Sequence, residues 1–209
     1  MLDPLPIDFD EAAHTYVWQP TGEKLAYSVT QVSGYDKTPA QLANIEKYRE
    51  GPTGWEARGV AVHAALEAFL KKEEPEFPLD SAIFAEWVAP LLAHSFWKDF
   101  EPLLIEGRLC DLKKSVGGSC DALGKWRGKT VLVDLKTQGK STASKYSTDR
   151  QLGGYLVMLN NSYGVEIDEC RTIWCRPGRT EAGKDQGTLK CFDAWNFAWT
   201  EFKKQQPAF

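Results

Sequence analysis

Two aspartates and a lysine flank a tight turn in residues 118–136, which read GSCDALGKWRGKTVLVDLK. A glycine-containing turn separates two segments that favour extended structure, so the stretch predicts a β-hairpin. If the hairpin is symmetric about its turn, Asp121 faces Asp134, at a Cβ separation of roughly 4.5–5.5 Å where two like charges repel. Lys136 follows two residues later on the same face of the strand. The spacing therefore predicts two carboxylates that a cation neutralises, with an amine beside them.

Opposed carboxylates of this kind suit hard divalent cations. Mg²⁺ and Mn²⁺ prefer oxygen ligands and keep several waters, which leaves room for a phosphate and a nucleophile. Such an ion polarises a phosphate and lowers the pKa of a bound water. Lys136 would orient or deprotonate that water, or stabilise the negative charge that develops on the phosphate. The residue types thus indicate phosphodiester hydrolysis; the alternative is an exposed hairpin whose acids are merely solvated.

A predicted helix over residues 55–72 carries a histidine and, one turn further on, an acid. His63 and Glu67 lie on the same face of this helix. A neutral imidazole is a workable metal ligand beside two carboxylates, although a single helical histidine is more often structural. Glu67 would support the metal site, or pair with His63 or with a lysine.

The predicted helix after the hairpin, residues 145–159, carries a second pair at the same spacing. Gln151 and Tyr155 stand four residues apart and face the same way. They have no catalytic power of their own. They could hydrogen-bond the lysine or a nucleic-acid phosphate, or simply belong to the helix surface.

Positive charge is concentrated around the hairpin, although the net charge of the chain is -4. Residues 111–150 contain 9 Lys and Arg against 4 Asp and Glu, whereas residues 1–100 contain 8 against 16. A local basic excess favours a phosphate-binding surface, and a fortuitously basic loop is the alternative. Candidate nucleic-acid contacts are five polar side chains and one aromatic ring that could stack an unpaired base: Ser28, Thr30, Lys140, Lys145, Arg150 and Trp126.

Composition places few further constraints on the chain. Its 209 residues are 43% hydrophobic with eight tryptophans, which is enough for the core of one domain. Five cysteines form no disulfide framework, and no signal peptide or membrane-spanning segment is evident, so we expect reduced thiols in the cytoplasm. Cys170 and Cys175 lack the C-x-x-C spacing of zinc and iron–sulfur sites, and no iron–sulfur cluster is expected.

The order of predicted elements indicates an α/β fold with one mixed sheet flanked by helices. The expected elements are two short strands around the turn at 19–22, helices at 39–49, 55–72 and 81–100, a strand at 103–112, the hairpin, a helix at 145–159, strands at 167–176 and 189–192, and a helix at 192–204.

Four motifs in this order resemble those of RecB-like nucleases of the PD-(D/E)XK phosphodiesterase superfamily. They are G-x-x-x-H from Gly59 to His63, G-x-x-D from Gly118 to Asp121, D-x-K from Asp134 to Lys136, and Q-x-x-x-Y from Gln151 to Tyr155. The resemblance implies a restriction-endonuclease-like core and a site that binds one or two Mg²⁺ or Mn²⁺ ions.

Transferred to this sequence, the resemblance also assigns roles to individual residues. It implies that Asp121, Asp134, His63 and the backbone carbonyl of Leu135 are metal ligands and that Lys136 is the catalytic lysine. Gln151 and Tyr155 would support the lysine and the DNA, and Glu67 would lie at the edge of the metal site. Cys120 stands where the family commonly has a proline.

The early Ser28-Val29-Thr30 is similar to a feature of the stand-alone exonuclease branch, which includes the mitochondrial genome-maintenance exonuclease and phage homologues. The four-cysteine iron–sulfur signature of other branches is absent. We therefore expect one nuclease domain over residues 1–209, with a hairpin and helical part at 1–100 and a sheet-containing catalytic core at 101–209. Its expected substrate is single-stranded DNA or free DNA ends, in repair or recombination in a bacterial or phage-infected cell. A structure-specific endonuclease and a catalytically silent DNA-binding module are the alternatives.

Overall fold

A central mixed sheet with helices on both faces organises the chain, in a computed structural model that describes residues 1–10, 13–51, 54–74 and 81–206. The predicted α/β class is therefore confirmed. The strands are β1 (Ile7–Asp10), β2 (Thr15–Trp18), β3 (Glu23–Lys24), β4 (Tyr27–Ser28), β5 (Phe100–Asp111), β6 (Val116–Trp126), β7 (Lys129–Thr137), β8 (Glu169–Arg176) and β9 (Arg179–Ala182). The first three form a small antiparallel sheet of their own, and the other six form the central sheet.

The helices are α1 (Val29–Ser33), α2 (Pro39–Lys47), α3 (Trp55–Lys71), α4 (Ser81–Leu92), α5 (Asp149–Tyr163) and α6 (Thr188–Gln205), with a 3₁₀ helix at Ser95–Asp99. Local sequence explains where several begin. Thr38 forms a capping box with Gln41, and Pro39 occupies the first helical position, where its missing N–H costs nothing. Within the described residues, no helix is both long and apolar enough to span a bilayer.

Strand β6 has one neighbour along one edge and two along the other. β5 pairs antiparallel along its whole length. β7 pairs antiparallel with residues 122–126, and β4 pairs parallel with residues 116–117. Because a strand has only two edges, β4 and β7 share the second, and residues 118–121 lie in the interval between them. The sheet therefore opens beside Asp121.

Apolar side chains cover the sheet on both faces, as expected for a layered α/β fold. Leu132 and Val133 of β7 point to opposite faces and belong to different apolar clusters. The first cluster joins the sheet to α1, α5 and α6 through Val29, Leu152, Tyr155, Trp195 and Phe202. The second joins it to α3, α4 and the 3₁₀ helix through Val62, Leu66, Leu91, Phe96 and Ile173.

The contact between α5 and α6 is unusually close at one glycine. A Cβ atom on Gly153 would lie 2.0 Å from the Cys191 carbonyl oxygen and 2.8 Å from the Trp195 Cβ. On the neighbouring residue, Gly154, a Cβ would meet the Trp195 ring at 3.0 Å. The two glycines thus let α5 press against α6, which fixes the position of α5 above the sheet.

The predicted hairpin and its register are correct. Lys125 pairs with Thr130, and the two-residue turn between β6 and β7 consists of Arg127 and Gly128 at φ values of 51° and 79°. Positive φ at both turn residues is typical of the tight turns that match the twist of the flanking strands.

Several predicted boundaries need correction. The predicted strand at 189–192 is wrong because these residues form the first turn of the amphipathic helix α6, and the strand that returns after β8 is β9. The predicted helix at 81–100 ends at Leu92, two residues beyond Pro90. Within the single predicted domain, β4 from the N-terminal part pairs with β6 of the central sheet.

Candidate metal centre

Three side chains from three different elements converge at the opening of the sheet. His63 Nδ1 lies 3.3 Å from Glu106 Oε1 and 3.3 Å from Asp121 Oδ1. Each of the three residues offers one possible ligand atom, and these three atoms all lie within 4.8 Å of one another. An imidazole and two carboxylates in this arrangement are compatible with a divalent cation.

The meeting of Glu106 and Asp121 follows from the pairing of β5 with β6. The register that places Ile105 against Ala122 puts Glu106 opposite Asp121. Glu106 has a φ of 46°, in the left-handed region that a residue with a Cβ adopts only at a cost of about 1–3 kcal/mol. The surrounding ladder maintains this backbone conformation at the point where the Glu106 carboxylate meets His63.

Asp121 is held by the backbone of the neighbouring strand. Its Oδ2 accepts a hydrogen bond of 2.5 Å from the Leu135 amide nitrogen, and its Oδ1 faces His63. The β6–β7 ladder ends at Ala122 and Val133, one pair before Asp121 and Asp134 would face each other. The Asp121 carboxylate thus accepts a hydrogen bond from the Leu135 amide, which lies beyond the end of the ladder and is not paired with β6. The predicted role of the Leu135 carbonyl stays a prediction.

Asp134 and Lys136 lie beside this cluster, on one face of β7 as predicted, but Asp134 is not among the three residues whose ligand atoms all fall within 4.8 Å of one another. Lys136 Nζ donates to Asp134 Oδ1 at 2.7 Å. Asp134 is fully buried, and among the described residues its Oδ2 has no hydrogen-bond partner. Such an oxygen is costly to bury and is the kind of atom that a bound cation would satisfy.

The three carboxylates and two cationic side chains of the centre perturb one another. Burial alone would lower the pKa of His63, but Asp121 and Glu106 outweigh it and hold that pKa well above the usual range. Burial raises the pKa of Glu106. It would also raise that of Asp121, but His63 and Lys136 outweigh it and lower the Asp121 pKa.

Asp134 and Lys136 respond to the same environment in another way. Burial raises the pKa of Asp134 to about 6, although Lys136 opposes the shift. Burial would lower the pKa of Lys136, but Asp134 and Asp121 outweigh it, and the pKa rises. Lys136 is therefore a charged hydrogen-bond donor beside a carboxylate that is costly to ionise.

Gln151 and Tyr155 lie on α5, next to the opening. Gln151 Nε2 donates to the Tyr155 hydroxyl at 3.0 Å. Tyr155 is buried, and a Cβ on Gly118 would lie 2.8 Å from its ring. The glycine of the G-x-x-D motif therefore makes room for the tyrosine of the Q-x-x-x-Y motif. Burial and the charges of Asp121 and Asp134 raise the pKa of Tyr155 well above its usual value and keep it a neutral donor.

A cleft of about 810 Å³ leads from the surface to this centre. His63, Leu135, Lys136 and Gln151 form part of its wall. Its outer wall includes polar and cationic side chains that could contact a phosphate backbone: Thr30, Ser33, Lys37, Asn44 and Arg150. The cleft therefore joins the metal centre to a partly basic surface.

The structure places the other candidate contacts differently. Thr30 and Arg150 line the cleft, although Arg150 also donates to Asp36 at 2.8 Å. Ser28 caps α1, since its hydroxyl accepts a hydrogen bond from the Gln31 amide. Glu67 pairs with Lys71 at 2.6 Å rather than with His63.

Two lysines and the tryptophan lie outside the cleft wall. Lys145 is paired with Glu181, and Lys140 lines a neighbouring cavity of about 680 Å³. Trp126 stands at the hairpin turn, five residues and about 16 Å along β6 from Asp121. There its ring packs against Phe96 and beneath two arginine guanidiniums. The predicted base-stacking role of Trp126 is thus not supported by its position.

Glu106 is the residue that sequence reasoning missed. It follows the apolar residues Leu103, Leu104 and Ile105 in a segment correctly predicted as a strand. An acid in the middle of a largely buried strand was the available signal. Its register against Asp121 could not be known, because β5 and β6 are joined by a loop rather than by a recognisable two-residue turn.

Comparison with known proteins indicates a shared fold. No family model and no curated protein matches the chain. Among solved structures, it is similar to a "Putative exonuclease" from Eubacterium rectale, with a TM-score of 0.52 and 13% identity over 85% of this chain and 78% of the other. The structure of SSO0001 matches with a TM-score of 0.40 and 14% identity over 87% and 76%. The first likeness establishes a common α/β fold, with a mixed sheet flanked by helices.

Proposed function

We propose that this protein is a RecB-like, Mg²⁺- or Mn²⁺-dependent deoxyribonuclease that hydrolyses DNA from free ends, with preference for single strands. The observation that carries the proposal is the buried, unbonded Oδ2 of Asp134 beside the cluster of His63, Glu106 and Asp121. The fold shared with the bacterial protein named an exonuclease supports it. We further propose that residues 1–209 act as one nuclease domain in the cytoplasm, since His63 from the N-terminal part completes the centre.

The side chains present fit a hard divalent cation. Glu106, Asp121 and Asp134 offer carboxylate oxygens and His63 offers one nitrogen, a set that suits Mn²⁺ and Mg²⁺ better than thiolate-seeking metals. A histidine that binds a metal must be neutral, so with His63 as a ligand the three carboxylates face only the Lys136 cation, and a divalent ion would relieve their repulsion. The set could hold one ion or two.

The remaining groups divide the work of hydrolysis. A divalent cation bound at this centre would polarise the scissile phosphate and supply a nucleophilic water at neutral pH. Lys136, held by Asp134, donates to the water or to a phosphate oxygen and stabilises the negative charge of the transition state. The Leu135 amide orients Asp121, and the Tyr155 hydroxyl, which accepts from Gln151, stays protonated beside the centre.

The same observations favour an enzyme over a catalytically silent DNA-binding module. A module that only binds has no use for a fully buried aspartate with an unsatisfied oxygen, because that atom costs stability. Conversely, a metal-dependent enzyme recovers this cost when the ion binds.

The test uses a linear single-stranded oligonucleotide labelled at one end, incubated with and without Mg²⁺ or Mn²⁺ beside a closed circular single strand. We expect metal-dependent loss of the linear strand while the circle stays intact, and the label pattern gives the polarity. Cleavage of the circle would indicate an endonuclease. Binding without cleavage under any metal would favour the silent module.

The matched inactive control is Asp134→Asn, which preserves side-chain shape. It should bind the strand without cutting it. Lys136→Ala should likewise abolish cleavage while binding survives, and cleavage at the wild-type rate in either variant would contradict the mechanism.

A further inference from the structure

Tyr146 is an exposed aromatic residue whose position is nevertheless fixed. It lies between β7 and α5 with 55% of its surface exposed. Its ring meets that of Trp174 edge-on, with centroids 5.0 Å apart and an interplanar angle of 85°. Trp174 is itself buried in β8. Such edge-to-face pairs are favourable, so Trp174 supports Tyr146 while most of the phenol ring faces solvent.

Tyr146 lies next to Lys136. Trp174 pairs in register with Lys136 on the adjacent strand, so the ring supported by Trp174 lies beside the Lys136 side chain. Tyr146 and Lys136 line the same cleft as His63 and Gln151. The charges of Lys136 and Asp134 both act on the phenol of Tyr146.

An exposed, supported ring beside a phosphate-directed lysine is suited to stacking on a nucleobase. A ring that is already fixed loses little conformational freedom when a ligand stacks on it. Bases within a duplex already stack on their neighbours, so an unpaired or terminal base offers a free face more readily. A stacking residue at this point would therefore favour unpaired strands.

We propose that Tyr146 stacks on the base next to the phosphate held at Lys136, and that this contact gives the cleft its preference for unpaired DNA. The inference rests on the proposed nuclease function and names the residue that distinguishes unpaired from duplex DNA. It replaces Trp126 in that role, because Trp126 lies at the far end of the hairpin and packs against Phe96.

The test compares Tyr146→Phe, Tyr146→Leu and Tyr146→Ala with wild type. The control is Phe197→Ala on α6, where Phe197 is 59% exposed and lies outside the cleft wall. Binding is measured in EDTA with a single strand that carries 2-aminopurine, whose fluorescence falls on stacking. Cleavage of single-stranded and duplex DNA is measured separately with Mn²⁺, and thermal melting confirms that each variant is folded.

We expect wild type, Tyr146→Phe and Phe197→Ala to quench 2-aminopurine equally. Tyr146→Leu and Tyr146→Ala should lose the quench and bind the single strand about 10-fold more weakly. Their ratio of single-strand to duplex cleavage should fall correspondingly. The leucine variant keeps an apolar side chain but has no planar face, so it separates stacking from simple apolar contact.

Three results would overturn the inference. These are an unchanged quench in Tyr146→Ala, an unchanged quench in Tyr146→Leu, and a loss in Tyr146→Phe as large as in Tyr146→Ala, which would assign the role to the hydroxyl. Failure of the nuclease proposal is distinguishable, because the fluorescence test needs no cleavage. A wild-type protein that quenches but never cuts would retain the stacking site and lose the proposed activity.

Discussion

The paired strands β7 and β8 carry one carboxylate where the pairing begins and another in its middle, and the two carboxylates have opposite surroundings. At one end, Glu169 accepts from Lys129 at 2.5 Å and from Arg171 at 2.6 Å. Burial would raise the pKa of Glu169, but the two cations outweigh it and lower it. In the middle of the pairing, opposite Thr172, Asp134 has one cation, Lys136, and one unbonded oxygen, and its pKa is raised.

The comparison distinguishes Glu169, whose carboxylate stabilises the folded protein, from Asp134, whose buried carboxylate lowers its stability. Glu169 has partners on both carboxylate oxygens and needs no further ligand. Asp134 is buried more completely and satisfied less, which is a cost that folding alone does not justify. Changing each acid to its amide is therefore the most direct way to sharpen or break the comparison.

The largest expected effect is on cleavage. Asp134→Asn should lower the rate of DNA cleavage by at least about 10³-fold, because it removes a charge that acts on the reacting phosphate and its cation. Glu169→Gln should cleave at close to the wild-type rate. Single-turnover assays on the end-labelled strand measure both, and equal rates in the two variants would remove the functional distinction between the two carboxylates.

The second-largest expected effect is on the affinity for the metal ion. Mn²⁺ should raise the melting temperature of wild type, since a ligand that binds only the folded state stabilises it. Glu106→Gln and His63→Ala should weaken that response by about 10–100-fold in metal concentration. Glu67→Gln, which alters an acid paired with Lys71 on the same helix as His63, should leave it unchanged. A normal metal titration in His63→Ala would make His63 a structural residue.

The third effect concerns how the free energy of unfolding depends on pH when EDTA removes the metal ions. The folded-state pKa of Asp134 is about 6, above its ordinary value of 3.8, so the folded protein holds more protons between these values and loses stability as pH rises through that window. Asp134→Asn removes this loss. Its free energy of unfolding should exceed that of wild type by about 1–3 kcal/mol above pH 6 and converge with it near pH 4. Urea titrations at the two pH values measure the difference, and a variant less stable than wild type at pH 7 would refute it.

The smallest effect should have the opposite sign. Glu169→Gln loses two ion pairs, one of which involves the largely exposed Lys129, and should destabilise the protein by about 1 kcal/mol at pH 7. Because the pKa of Glu169 is lowered, this loss should be present above the usual glutamate range and vanish as pH falls through the folded-state pKa. Stabilisation by Glu169→Gln at pH 7 would show that the two carboxylates are not opposites.

The predictable part of the molecule is the part encoded by local spacing. The hairpin register, the Asp134–Lys136 pair and the placement of Gln151 beside Tyr155 all depend on residues close in sequence. The position of Glu106 in the centre depends on the pairing register of β5 with β6 and on a left-handed φ, and neither can be predicted from local sequence.

Two outcomes, the wrong strand at 189–192 and the placement of Trp126 away from the cleft, have similar physical causes. Leu189–Phe192 contains too few residues for its period to distinguish a strand from the start of α6, and packing of α6 on α5 decides in favour of the helix. Trp126 was a candidate for stacking because of its residue type, but the pairing of β5 with β6 brings it close to Phe96. Both outcomes depend on tertiary neighbours that a single segment does not reveal.

The close contact between α5 and α6 has a consequence for how sequence variants of this protein should be judged. Gly153 and Gly154 are two of the three unspecified positions in the Q-x-x-x-Y motif, yet each is constrained by its close contact with α6. A substitution at Gly153 would leave every proposed metal ligand unchanged and still displace Tyr155, because α5 would have to move away from α6. A variant can therefore retain all four motifs and have lost the geometry that makes them useful.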